Sequence, residues 1–347
     1  MSEGPPLIAL DKAHAPFFIG IDVGGTGIKI GLVDDRGQTL GWKRIETDVE
    51  QGPDAAVERI SDAISRVIEE AGLSDAQVTS IGLATPGTMD IPAGKFLNPV
   101  NLPGWQNYPI RDRIAKATGK PVSFVNDANA AAYGEYWIGS GAEYQSMVML
   151  TLGTGVGGGI IVRELNVEGE HSHGSELGHT IIDYNDDARL CSCGQRGHLE
   201  GYASATAVAK RASEALEAGR QSSVRGRIDA GEELTAKLLH EEAERGDELA
   251  LEVILDTAMY LGVGITTFMH TIDPDAVVLG GAMTFGEHEN EIGRKFLARV
   301  KEEINQRAFP TPAKETLVDF AQVGSHAGYV GAAGIARLAA KREPSSV

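Results

Sequence analysis

The chain has 347 residues, 42% hydrophobic and 23% charged, an ordinary composition for a soluble globular protein and a length that allows two domains. Its 49 acidic residues against 31 basic ones give a formal net charge of −18, which argues against a nucleic-acid groove. An anionic ligand must therefore be held by local devices: backbone N–H groups, a metal ion or a single lysine. Cys191 and Cys193 are the only two cysteines, too few for a secreted disulfide scaffold, and the chain reads as cytoplasmic.

Residues 1–16 pair two prolines with mixed charges and read as a flexible tail without a secretory signal. Strands are predicted at 17–22, 28–33 and 38–46, the last two joined by the hairpin sequence Asp34-Asp35-Arg36-Gly37. A helix follows at 53–71, with Ala56, Val57, Ile60, Ile64 and Ile68 on one stripe. Next come a strand at 78–84, a Pro/Gly-rich loop through Trp105, a helix at 110–118, a strand at 121–125 and a helix from Ala128. Strands at 146–152 and 160–162 flank a second glycine run. Residues 203–270 read mostly as helix, 276–281 as a strand and 325–342 as a final helix. The segment Val253–Ile272 has the length of a membrane span. Asp256 and His270 interrupt it, and a long buried helix is the expectation.

The first glycine run, in FFIGIDVGGTGIKIGLV, is followed by a strand. Both common nucleotide loops instead run from a strand into a helix. The second, Gly153-Thr154-Gly155-Val156-Gly157-Gly158-Gly159, formally matches G-x-G-x-x-G but also opens a strand, so the dinucleotide reading is refuted. Tight hairpins alone would account for such glycines. Both loops, however, carry a threonine, Thr26 and Thr154, and the first adds Asp22. Glycines let backbone N–H groups approach phosphate oxygens, and Lys29 stands just past the first turn. Asp22 would face phosphates only across a hydrated Mg²⁺. The repeated unit suggests a duplicated domain.

This paired arrangement, Asp-x-Gly-Gly-Thr and then Gly-Thr-Gly, resembles the actin-like (ribonuclease H-like) ATPase fold. Within that fold the chain, from Phe17 to about Ala340, is similar to the ROK family of sugar kinases and related repressors. The resemblance implies a two-lobed α/β fold with mixed sheets and an interlobe cleft. The small lobe would span 17–124, rejoined by the helix 325–342, and the large lobe 125–324. It also implies ATP held by Asp22, Gly24, Gly25, Thr26, Lys29, Thr154 and Gly155, with Gly280 and Gly281 beside the adenosine. Homodimers or homotetramers are a further family expectation.

In Val125-Asn126-Asp127-Ala128-Asn129 an acid sits where a strand ends and a helix begins. Such an acid is either a helix cap or a group delivered to a ligand crevice. The resemblance assigns Asp127 the general base that takes a sugar hydroxyl's proton, and Asn126 a sugar contact; Asn126 would cap the helix and leave Asp127 free. Cys191, Cys193, His198 and His179 form a compact nitrogen–sulfur set, suited to structural Zn²⁺ or else two reduced cysteines near surface histidines. It resembles the ROK zinc motif with His198 in place of the last cysteine. By the same resemblance Glu176, His179 and Glu200 contact the sugar, and Gly87 and Asn101 belong to a loop closing over it. Trp105 is expected to pack beneath that loop.

The implied activity is ATP-dependent phosphorylation of a hexose 6-hydroxyl. Asn-Leu-Pro-Gly-Trp and Ser-Glu-Leu-Gly-His favour glucose, with N-acetylglucosamine or N-acetylmannosamine as alternatives. A sugar-responsive transcription regulator is the remaining family possibility, disfavoured by the charge and by the lack of a helix-turn-helix pattern before Phe17.

Overall fold

A computed structural model describes residues 4–99 and 101–342. Ten elements occupy the first part of the chain: β1 (Phe17–Val23), β2 (Gly27–Val33), β3 (Thr39–Glu46), α1 (Gly52–Glu70), β4 (Val78–Thr85), β5 (Thr88–Asp90), β6 (Lys95–Asn98), α2 (Ile110–Thr118), β7 (Val122–Asn126) and α3 (Asp127–Ile138). There follow β8 (Ser146–Leu152), β9 (Val156–Val162), β10 (Leu165–Asn166), α4 (Glu200–Ala203), α5 (Ala205–Glu217), α6 (Val224–Asp229), α7 (Ala236–Glu244) and α8 (Glu248–Ile272). The chain closes with β11 (Ala276–Gly281), α9 (Glu291–Arg307), α10 (Pro310–Glu315), β12 (Leu317–Phe320) and α11 (Ala327–Arg342).

The described residues divide between two compact units, one of 1–143, 159–175 and 322–347, the other of 144–158 and 176–321. The chain thus changes unit after Glu143, and not at 124 as the sequence suggests. The reason is local: α3 packs along α11, so the strand β7 and the helix it feeds stay together.

Two five-stranded mixed sheets share one topology, β3-β2-β1-β4-β7 and β10-β9-β8-β11-β12. In each, an antiparallel meander is extended by parallel strands, β1 with β4 and β7, and β8 with β11 and β12. This repeated order is the duplication that the paired glycine hairpins suggest.

In the first unit β1 is buried on both faces and reads as continuous apolar chain. Ile19 and Ile21 join Ile60 and Ile64 of α1 in one core, while Phe18 packs against Tyr329 and Val330 of α11. By period-two alternation Gly20 and Asp22 share the α11 face with Phe18. There the helix meets the sheet backbone to backbone: a Cβ on Gly20 would lie 1.8 Å from the Tyr329 carbonyl oxygen, and one on Gly82 of β4 would lie 1.8 Å from that of Ala332. Gly331 of α11 faces α3 in the same way, where a Cβ would lie 1.6 Å from the Ala130 oxygen. Entry into α11 is fixed by Glu135, whose fully buried carboxylate accepts from the backbone N–H groups of Gln322 (3.0 Å), Val323 (2.6 Å) and Ser140 (3.2 Å).

Two expectations need correction here. The part of the N-terminal segment that is described is not a loose tail. Ile8 N–H donates to Thr39 O (2.9 Å), Asp35 N–H to His14 O (2.9 Å) and His14 N–H to Asp34 Oδ2 (3.0 Å), so 8–14 run along the edge of the meander. Residues 1–3 lie outside the described residues. The Pro/Gly-rich stretch holds a short hairpin, β5 paired with β6 through Met89 opposite Phe96. Trp105 is fully buried and meets Phe96 edge-on at 6.0 Å between ring centroids.

In the second unit α8 is long and apolar enough to span a membrane by length and composition, yet 61% of its apolar window is buried. It packs on α5, α7 and α9 through residues such as Ile254, Leu261, Ile265 and Phe268. Asp247 caps it, accepting from Ala250 N–H at 2.8 Å.

The backbone contact of α11 gives a direct test. Gly82→Ala should destabilise the protein by about 2 kcal/mol or more, because the rigid sheet and helix backbones leave the methyl no space. Gly226→Ala, in α6 with nothing within 4 Å of the added methyl, should be neutral or slightly stabilising. Denaturant midpoints of the two variants check the contrast.

Candidate functional site

The first hairpin turns between Asp22 of β1 and Lys29 of β2, which stand opposite each other in the antiparallel register. Gly24 N–H donates to Gly27 O (3.0 Å), and the Thr47 hydroxyl donates to Gly24 O (2.6 Å), leaving a loop of Gly24, Gly25 and Thr26. The N-terminal end of α11 abuts Asp22: a Cβ on Gly328 would lie 2.7 Å from Asp22 Oδ2. Burial raises the Asp22 carboxyl above the usual carboxylate range, opposed by the Lys29 ammonium 3.6 Å away. A divalent cation at this carboxylate would favour its ionised form.

Lys29, expected to reach phosphate, instead donates to the Ser325 carbonyl at 2.7 Å while it neutralises Asp22. Arg44 of β3, opposite Lys29 in register, lies against the turn; its Nε would be 2.8 Å from a Cβ on Gly27. Sequence reasoning did not single out Arg44, because its place beside the glycines depends on the β2–β3 register. Asn101 also reaches this hairpin, its Cβ 2.9 Å from where a Cβ on Gly25 would stand.

At the same end of the first sheet as Asp22, the C-terminal ends of the parallel strands β4 and β7 set Thr85 beside Asn126. The Pro86-Gly87 turn is therefore next to the start of α3, and Asn126 Nδ2 lies 3.4 Å from Gly87 O. Asn126 caps the helix, Oδ1 accepting from the N–H groups of Ala128 (2.9 Å) and Asn129 (3.3 Å). Asp127 is the first helical residue, and its Oδ1 accepts from Ala128 N–H at 2.8 Å. The acid expected to stay free thus has one oxygen already hydrogen-bonded, an arrangement that orients the carboxylate at the positive end of the α3 dipole.

In the second unit the hairpin between β8 and β9 is held from several sides. Gly153 N–H donates to Gly155 O (3.0 Å), Ala205 N–H to Gly153 O (2.9 Å) and the Thr206 hydroxyl to Thr154 O (2.9 Å). Gly280 and Gly281 of β11 lie beside Thr151 and Leu152 in the parallel register, next to that hairpin. Gly281 has φ +99°, and a Cβ there would stand 2.3 Å from Leu152 O, so only glycine fits.

The four expected metal ligands converge. One donor atom each from His179, Cys191, Cys193 and His198 lies within 4.8 Å of all the others. His179 Nδ1 is 3.2 Å from His198 Nδ1 and 3.7 Å from Cys191 Sγ, and Cys193 Sγ is 3.3 Å from His198 Nδ1. These three of the six separations lie near the ligand spacing of about 3.3–3.8 Å that Zn–N and Zn–S bond lengths give a tetrahedral site. Local backbone makes the knot: Cys191 N–H donates to Gln195 O (2.8 Å), Gly194 N–H to Cys191 O (3.0 Å) and Leu199 N–H to Thr180 O (2.9 Å). Burial pushes the Cys191 thiol up to about 12, while burial and then His179 depress His198 and favour the neutral imidazole that ligates metal. The far ring nitrogen of His179, Nε2, is 3.9 Å from Glu176 Oε2.

Glu200, expected as an open sugar acceptor beside Glu176, is placed differently. Only 9% exposed, its carboxylate accepts from Val156 N–H (3.1 Å) through Oε2, and from the Cys191 thiol (3.3 Å) and the Ser192 hydroxyl through Oε1. Ser192 is a further residue the motif reading passed over. It sits between the two cysteines, where spacing draws attention to its neighbours.

The ROK family profile matches residues 18–339. A curated glucokinase of Halalkalibacterium halodurans is 33% identical over 316 residues, 91% of this chain and 93% of the relative. Among solved structures, a ROK hexokinase from Thermus thermophilus superposes with a TM-score of 0.79 at 31% identity, covering 94% of this chain and 99% of the other. A ROK family glucokinase from Streptomyces griseus, solved in complex with glucose and AMPPNP, gives 0.70 at 31% identity over 93% of this chain and 99% of its own. With the duplicated mixed sheets and glycine hairpins, these matches show the fold to be that of the ROK sugar kinases within the actin-like ATPases, and this chain belongs to the ROK family.

Proposed function

We propose that the protein is an ATP-dependent sugar kinase that transfers the γ-phosphoryl group to the 6-hydroxyl of glucose. The observation that carries this reading is the β7–α3 junction. Asn126 takes the cap, and the next residue presents a carboxylate oriented by a backbone hydrogen bond. Asp127 accepts the hydroxyl proton as the sugar oxygen bonds to the γ-phosphorus. The β,γ-bridging bond breaks and ADP carries away the electron pair. The transition state of such a transfer is loose, so positioning and charge neutralisation dominate over covalent chemistry. The relatives named for glucose, whose length the chain spans almost entirely, favour that sugar.

Other residues take supporting roles. N–H groups around Gly24–Thr26 and Thr154–Gly155 bind phosphate oxygens, which suits a protein with so little positive charge to spare. Asp22 is the residue to hold Mg²⁺ through water; the bound ion supplies charge neutralisation at the phosphates. Lys29 sets the Asp22 carboxylate, and Gly280 and Gly281 form a side-chain-free wall for adenosine. His179, Cys191, Cys193 and His198 hold structural Zn²⁺, with His198 in the place of the family's last cysteine. Glu176 and the Nε2 face of His179 bind sugar hydroxyls, and Gly87 and Asn101 lie on the sugar-side loops.

Asp127→Asn should retain glucose binding and the thermal midpoint while kcat falls roughly 10²–10⁴-fold, the usual worth of a general base. Coupled ADP-release kinetics across glucose, mannose, N-acetylglucosamine, N-acetylmannosamine and fructose test the reading. No turnover with any of them, or full turnover by the variant, would overturn it.

Metal analysis of the purified protein should find zinc at one ion per chain. His198→Cys should keep that stoichiometry and Cys193→Ala should lose it. Zinc occupancy should also fall as pH drops through the imidazole range, because protonated histidine cannot ligate.

A further inference from the structure

The Glu200 carboxylate joins two parts of the second unit that sequence reasoning treats separately. Oε2 takes the Val156 N–H of the glycine hairpin, and Oε1 takes the Ser192 hydroxyl of the cysteine turn. Gly155 leaves just enough room for this: a Cβ there would stand 2.5 Å from Oε2. The hairpin has other supports at Gly153 and Thr154, from Ala205 and Thr206 of α5, but none of these touches Val156. Where the hairpin passes into β9, Glu200 is the side chain that holds the Val156 N–H, while Gly178 packs against the Val156 carbonyl.

Ser192 has a particular place in this chain of contacts. The Cys191 thiol donates to the same Oε1 at 3.3 Å, so the cysteine turn holds Glu200 through two adjacent residues. Of the two, Ser192 is outside the set of four candidate ligands, and its hydroxyl donates to Glu200. Without that hydroxyl, Oε1 loses a donor in the cysteine turn, and the carboxylate is held less firmly against the hairpin.

We propose that Ser192 is a positioning residue that acts through Glu200 to couple the metal knot to the phosphate-binding hairpin, so that nucleotide affinity depends on the knot as well as on the glycines. This rests on the reading of Gly153–Gly158 as a phosphate loop. A hydrogen bond to a buried carboxylate is worth enough that its loss should weaken nucleotide binding by roughly five- to tenfold.

The test compares zinc-loaded wild type, Ser192→Ala and Ser192→Thr by calorimetric titration with Mg·ADP, alongside zinc content and amide hydrogen exchange of the peptide containing Val156. The expected result for Ser192→Ala is full zinc content, faster exchange at Val156 without ligand, and weaker Mg·ADP binding. Ser192→Thr, which keeps the hydroxyl, should restore both properties. Wild-type exchange and affinity in Ser192→Ala at full zinc content would overturn the coupling while leaving the kinase reading intact. Failure of wild-type protein to bind Mg·ADP would instead overturn the phosphate-loop reading and the coupling with it. Should Ser192→Ala lose zinc, wild type stripped by chelator supplies the comparison: unchanged Mg·ADP affinity and Val156 exchange would overturn the proposal, and weakening of both would support it.

Discussion

Contact of backbone with backbone, between α11 and the first sheet, is the constraint on which the first unit's chemistry depends. Gly20 and Gly82 remove side chains from the strands where Tyr329 and Ala332 of the helix come down, and Gly331 does so for the helix against α3. Close packing of this kind has little slack, so the helix sits at one height and one rotation. From that position its N-terminal end meets Asp22, and the Ser325 carbonyl just before it takes the Lys29 ammonium. The opposite contact seats α3, whose first residue is Asp127. Two carboxylates from distant parts of the sequence are thus placed by one helix that carries neither of them.

Much of this arrangement was legible in the sequence, for identifiable reasons. The strand after Gly24–Thr26 could be read because Ile28, Ile30 and Leu32 alternate with lysine and glycine, a pattern no helix would carry. Its echo after Gly153 announced the duplication that appears as two sheets of the same strand order. The convergence of His179, Cys191, Cys193 and His198 was readable because nearby spacing and ligand chemistry constrain each other. Residues 291–320, to which the sequence reading assigns no elements, form α9, α10 and β12; yet α9 carries an i, i+4 stripe of Ile292, Phe296, Val300 and Ile304, a signal the sequence does hold.

What could not be read depends on partners far along the chain. The segment 8–14 looks like a tail by composition, yet hydrogen bonds to Asp34, Asp35 and Thr39 and packing of Ile8 and Ala13 on the core pin it. The strands β5 and β6 have three and four residues, too few for alternation to show among prolines and glycines. Lys29 stands at the first hairpin as its place in the sequence indicates, but the carbonyl of Ser325 that it bonds is 296 residues away. Glu200 has the same character: its membership of the motif is local, whereas its hydrogen bond to Val156 crosses 44 residues.

These long-range contacts follow from the use of glycine in hairpins proposed to bind phosphate. A glycine hairpin exposes its N–H groups by having no side chains, and for the same reason it has no side chain of its own with which to brace the turn. Its amides keep their directions only if residues from elsewhere close the space beside it. In the first unit Asn101 stands over Gly25 and Thr47 bonds to Gly24; in the second Glu200 stands over Gly155 while Thr206 bonds to Thr154. The duplicated sheets therefore share their strand order but not their braces. In both units, a residue that the sequence reading places on the sugar side lies against the hairpin assigned to phosphate, Asn101 in one and Glu200 in the other. On the proposed assignment, a change at either residue would reach the hairpin amides through direct contact, and sugar and nucleotide recognition would share residues.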